Sequence, residues 1–130
     1  MVGKLSGKSV DEVLELIREA AEKVDDVKIY YALKQMRLKH VVPSTVNFLK
    51  FLVAISELGL PITSGLVSHV CNINLNETLR RLHTLGDRHV LILKRQTQKR
   101  YEWILTPLFK KLYYGKNSNP PLQKIKQQKI

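Results

Sequence analysis

Apolar side chains recur at spacings of three and four along most of this chain, and they switch to alternation only near its end. That pattern predicts a mainly α-helical protein with one late β-hairpin. Val10, Val13, Leu14, Ile17, Ala20, Ala21 and Val24 form a single stripe, while Asp11, Glu12, Glu15, Glu19 and Glu22 load the opposite face. Ser9-Val-Asp-Glu12 is a capping box at the head of this helix, with a hydroxyl for the first turn and a carboxylate that reaches back. Asp25-Asp26 stops it and can cap a second element from about Val27 to His40. The run VKIYYAL within that element suits a helix or a strand.

Val42-Pro43-Ser44 is a boundary, because proline forces an extended residue before it and Ser44 can cap the next helix. That helix, expected from Thr45 to Leu58, is apolar almost all round: Val46, Phe48, Leu49, Phe51, Leu52, Val53, Ile55 and Leu58. Such a helix must be covered on two sides. One cover is its own domain core; the other is the N-terminal helices or a partner subunit. Gly59 closes it, Leu60 to Thr63 is a connector, and Thr63 caps a short helix ending at Cys71. Asn72-Ile73-Asn74 is a turn. A further helix from Leu75 to Leu85 opens on a second capping box, Asn74 to Glu77, and ends at Gly86. VLILKR and YEWIL then read as two strands joined by Gln96 to Arg100, and Pro107 opens a last helix carrying Leu108, Phe109, Leu112 and Tyr113.

Three helices followed by a hairpin within residues 44–114 resemble a winged helix-turn-helix domain, of the kind found in small archaeal, viral or plasmid-borne transcriptional regulators. The turn carries part of the likeness: Asn72 tolerates positive φ and precedes an aliphatic, Ile73. Val67, Cys71, Ile73, Thr78, Leu82 and Leu85 fall where the family buries side chains. Thr78 stands where an aliphatic is usual, and His89 where a glycine commonly leads into the hairpin. The resemblance implies an α+β fold, mainly helical with a small hairpin. It divides the chain into an N-terminal helical extension (1–43), the winged domain (44–114) and a basic, disordered tail (115–130).

The resemblance also implies that the helix after the turn enters the DNA major groove. Leu75, Leu79, Leu82 and Leu85 share one face of that helix, and Asn76, Glu77, Arg80, Arg81, His83 and Thr84 lie opposite. Arginine can fork onto guanine and asparagine onto adenine. Arg80 and Asn76 are therefore expected on base edges, with Arg81 and Thr84 on phosphate or base. Lys94, Arg95, Gln96, Thr97, Gln98, Lys99 and Arg100 form the expected wing, four cations and three amides or hydroxyls at one tip. Tyr101, Trp103 and Leu105 alternate onto one face and read as core.

Charge sharpens the picture. The chain carries 22 Lys/Arg against 11 Asp/Glu. Residues 1–40 hold 8 basic and 7 acidic side chains, residues 41–86 hold 3 and 2, and residues 87–130 hold 11 and 2. A one-sided excess of this kind suits a polyanion, since each cation on phosphate releases counterions. A solvated basic face that only aids solubility is the plainer reading. The expected function is sequence-specific binding of double-stranded DNA by a transcriptional regulator, acting as a homodimer through Val10, Val13, Leu14, Ile17 and Val24. Two alternatives stand beside it: a winged-helix protein-interaction module of a transcription or replication complex, and a nonspecific DNA-coating or RNA-binding protein.

Other chemistry finds little support. Cys71 is the single cysteine, which excludes an internal disulfide and fits a reducing, cytoplasmic setting. The N-terminus lacks the apolar core of a secretory signal, and no run approaches the about 18 apolar residues of a membrane span. His69-x-Cys71, with His40, His83 and His89, lacks the paired spacing of a zinc site. No glycine-rich phosphate loop, nucleophile elbow or paired acid motif occurs. No enzyme activity, metal or cofactor is expected, and no small-molecule substrate or effector pocket is evident in the sequence.

Overall fold

In the computed structural model, which describes residues 9–38, 41–96 and 101–115, six helices and a three-stranded antiparallel sheet form an α+β arrangement. The helices are α1 (Val10–Glu22), α2 (Asp26–Gln35), α3 (Pro43–Glu57), α4 (Ser64–Cys71), α5 (Leu75–Asp87) and α6 (Pro107–Tyr114). The strands are β1 (Ile62–Thr63), β2 (Leu91–Gln96) and β3 (Tyr101–Leu105), in the order β1-β3-β2. Residues 116–130 of the tail, His40 and the wing residues Thr97, Gln98, Lys99 and Arg100 lie outside the described residues.

Local chemistry sets most boundaries. Ser9 Oγ accepts from the Glu12 amide at 3.1 Å, and the Ser9 amide donates to the Glu12 carboxylate at 2.9 Å. The first capping box is thus complete. Asp25 caps α2 by accepting from the Val27 and Lys28 amides, and the run that suited helix or strand is helical from Asp26 to Gln35. Helix α3 starts two residues earlier than Ser44 capping would allow. Pro43 occupies its first position and no side chain caps it, because proline brings a helical φ and has no amide to satisfy. Past its end, Gly59 takes a φ of 77°, and the Leu60 amide reaches back to the Ile55 carbonyl at 3.1 Å. These are the contacts of a left-handed helix stop.

The expected connector at Ile62-Thr63 is instead a short strand, in register with Trp103 and Glu102 of β3. On the other side of β3, Leu91 faces Leu105, Ile92 faces Ile104 and Leu93 faces Trp103; the register then shifts between Leu93 and Arg95. An irregularity of this kind bends the strand, here just before the wing. Gly86 does not end α5. The helix runs on to Asp87, and a Cβ on Gly86 would meet the Trp103 ring at 3.0 Å, so the residue is small because the hairpin's tryptophan packs against it. His89 takes the left-handed turn in its place, φ 67°, with its carbonyl held by the buried Thr106 hydroxyl at 2.7 Å.

One continuous core joins these elements. It includes Leu14, Ile17 and Ala21 of α1, Ile29 and Leu33 of α2, and Phe109 and Tyr113 of α6, together with the interior of α3. The expected boundary at residue 43 is therefore not a boundary of the core. Helix α1 packs on α3 and α4, and α2 packs on α3 and α6. Ile17 has no exposed surface, Leu14 and Val24 are buried, Val13 is half-buried and Val10 is 68% exposed. This corrects the dimerisation expectation at its centre. The stripe is consumed inside one chain because α3, apolar all round, needs a cover on its second side. α6 is fastened by its tyrosines: the Asp25 amide donates to the Tyr113 hydroxyl at 3.4 Å, and the Tyr114 hydroxyl donates to Glu57 at 2.5 Å.

Candidate nucleic-acid interface

The turn before α5 decides how that helix is presented. Asn72 has φ 57° and ψ 47°, in the left-handed region, where a short amide side chain is tolerated better than most. The Ser68 hydroxyl donates to the Ile73 carbonyl at 2.7 Å, and Ile73 packs half-buried on the core. Asn74 caps α5 by accepting from the Glu77 amide at 2.8 Å. Thr78, the residue in an aliphatic position, is fully buried yet satisfied: its hydroxyl donates to the Asn74 carbonyl at 2.9 Å. Leu82 and Leu85 are buried beside it. Leu75 is 48% exposed, so the inward face of α5 turns on Thr78 rather than on the first leucine.

Asn76, Arg80 and Thr84 are exposed at four-residue intervals, one line along the outer face of α5. Arg81 lies beside that line, a third of its side chain exposed, with its guanidinium 5.5 Å from the centre of the Phe48 ring of α3. His83 does not join the polar line. Its ring stands edge-on to Trp103 at 5.0 Å and to Tyr101 at 5.8 Å, which ties α5 to β3 and fixes the hairpin relative to the helix. Lys94, Arg95 and Gln96 lie on the backbone of β2.

A contact not foreseen from the sequence dominates the electrostatics. Glu77 stands at the capping-box position, but its carboxylate turns the other way and holds both arginines. Arg80 donates from Nε to Oε1 at 3.1 Å and from Nη2 to Oε2, and Arg81 donates from Nε to Oε2 at 2.8 Å. These hydrogen bonds, Arg80's first, pull the Glu77 carboxyl from 4.5 down to about 2. The same pair raises the Arg80 guanidinium above its ordinary value. The spacing was the available signal: glutamate followed by arginine three and four residues later places all three on one side of a helix. A guanidinium held at two of its donors is oriented, and it keeps others for an external acceptor.

Cys71, at the end of α4, is a different case. Burial pushes its thiol up to about 12, against the opposing pull of Arg81 and Arg18. It is a packing residue with a neutral thiol. Among the described residues no group of three or more histidine, cysteine or acidic side chains is arranged to hold a metal ion, and no helix is long and apolar enough to cross a membrane. Comparison of the chain with family models, with curated proteins and with solved structures gave no match.

Proposed function

We propose that this protein is a winged helix-turn-helix regulator that reads double-stranded DNA with α5 and steadies itself on the phosphates with its β2–β3 hairpin. The observation that carries the reading is the exposed line Asn76, Arg80, Thr84 on a helix that comes after a left-handed turn at Asn72. The order helix, short strand, helix, helix, strand, strand supports it, as does a sheet in which the first strand pairs with the last. In this reading Arg80 and Asn76 contact base edges, while Arg81, Thr84 and the basic hairpin contact phosphate. Glu77 aims the two guanidiniums and lowers the attraction of α5 for random DNA, so that affinity depends on base contacts.

The same reading makes the active species a homodimer on a two-fold symmetric site. Its seam is not the α1 stripe. The large apolar side chains left exposed near α2 and the start of α3 are Val27, Tyr30, Tyr31 and Val42. Light scattering at micromolar concentration tests this, and a monomer would remove it.

One observation favours the interaction-module reading instead: the Glu77 clamp leaves α5 with less free positive charge than its sequence suggests. The discriminating experiment is selection of bound duplexes from a random pool, then binding of the selected and scrambled sequences. A regulator gives a ratio of about a thousandfold or more. A nonspecific coat gives a ratio near one, and an interaction module binds neither.

A further inference from the structure

Beside the exposed line of α5 the protein holds a cavity of about 300 Å³, between that helix, the end of α2 and the start of α3. Its floor is apolar: Leu33, Val41, Phe48 and Leu85. Its rim is cationic, made by Arg80, Arg81 and Arg88; the Thr84 hydroxyl beside them donates to the Arg80 carbonyl at 2.9 Å, and among the described residues no acidic side chain lines the cavity. Glu77, which holds Arg80 and Arg81, is not among the lining residues. It takes Arg81 through Nε alone, which leaves both terminal NH₂ groups of that guanidinium for another acceptor. Arg88 is exposed just past α5 and has no ion pair among the described residues.

An apolar floor under a few convergent donors is the construction of a small-molecule site, and this volume is at the lower end of the usual range. Duplex DNA offers phosphate and base edges, which suit the arginines and not the apolar side chains that line the rest of the cavity. A bare inorganic anion would leave the floor unfilled. We propose that this cavity binds a small organic monocarboxylate with an apolar body, the carboxylate on Arg81 and Arg88 and the hydrocarbon against Phe48, Val41 and Leu33. Where the regulator reading holds, and this second step rests on it, the ligand is an effector. A carboxylate on the rim occupies Arg81 and crowds Arg80 and Thr84, so it opposes DNA binding by linkage through shared residues.

Octanoate is the probe, with acetate and octanol as its two halves. Titration into the ¹⁵N-labelled full-length chain should give saturable amide shifts centred on Phe48, Thr84 and Arg88, with Kd about 1 mM or tighter. Acetate and octanol should each bind at least about tenfold more weakly. Arg88→Gln should weaken octanoate about tenfold, the worth of one charge-assisted hydrogen bond, and Arg88→Lys should recover part of it. Shifts spread evenly over the basic surface, equal binding of octanol, no saturation, or an unaffected Arg88→Gln protein would each overturn the site. The coupling is judged separately, by duplex binding with and without saturating octanoate. Unchanged duplex affinity overturns the effector role and leaves the site standing. A chain that binds no duplex in either condition overturns the regulator reading and the effector role with it, while the titration still decides the site.

Discussion

Replacing Ile17 by alanine tests whether α1 belongs to the core of one chain or to a seam between two. Ile17 has no exposed surface and sits among the buried residues that α1 shares with α3 and α4. The substitution removes three carbons from a filled interior. At roughly 0.8 kcal/mol per buried CH₂ the transfer loss is about 2.4 kcal/mol. The cavity left behind adds to this, so about 3 kcal/mol is expected, within the range of about 2–5 kcal/mol for such truncations. In a domain of this size that lowers Tm by about 10 °C. Val10→Ala, on the same stripe but 68% exposed, should change stability by less than about 0.5 kcal/mol. Thermal melts of both variants and the wild type at 1 and 100 µM (assay concentrations chosen on the order of magnitude where dimer linkage is visible) make the comparison. The Ile17 loss should be the same at both concentrations. A loss that appears only at the higher concentration, or one below about 1 kcal/mol, would place α1 in a subunit interface and refute the single core.

Three further changes probe the site. Glu77→Gln frees Arg80 and Arg81 from their carboxylate, so it should strengthen binding to random duplex and steepen the salt dependence by about one phosphate contact; an unchanged slope would deny the clamp. Because the folded carboxyl lies at about 2, below its ordinary 4.5, its contribution to stability is complete above the ordinary value and is lost only as pH falls toward the folded value. Duplex affinity measured at pH 7 and pH 5 should therefore show no change that Glu77→Gln abolishes. Asn72→Ala forces a Cβ-bearing residue without the compensating amide into the left-handed turn, at φ 57°, and should lower stability by about 1 kcal/mol, whereas Asn72→Gly should hold it or raise it slightly. With its thiol pushed up to about 12, Cys71 should react with a disulfide reagent at pH 8 roughly a thousandfold more slowly than free cysteine, and at the free rate in denaturant.

Much of this fold is legible where the signal is local. Ser9 with Glu12, Asp25, Thr63 and Asn74 each cap the helix that their sequence position implies, because capping needs only the next three residues. The positive φ at Asn72 is likewise a property of one side chain in one turn. The features hidden from the sequence depend on distant partners. Two residues, Ile62 and Thr63, are too few to show alternation, and they are a strand only because β3, far along the chain, lies beside them in space. Gly86 looks like a helix end until Trp103 is placed against it. The α1 stripe announces burial but not by what, since a neighbouring helix and a second subunit ask for the same face. At the site, Asn76, Arg80 and Thr84 are expected to be exposed from their helical spacing, and they are. Glu77 is ambiguous in sequence, because a capping glutamate and an ion-pairing one share the same position.

The most direct test of the proposed function is a pair of binding isotherms for Arg80→Ala, on a duplex selected by the wild-type chain and on its scrambled counterpart. Arg80 is exposed and paired only through Glu77 among the described residues, so the variant should fold as the wild type does. If α5 reads bases, the cost on the selected duplex is about 1–3 kcal/mol, with a relaxed preference at one base pair and little change on the scrambled one. Equal losses on both, leaving the ratio unchanged, would show that α5 does not read sequence and would contradict the proposed function.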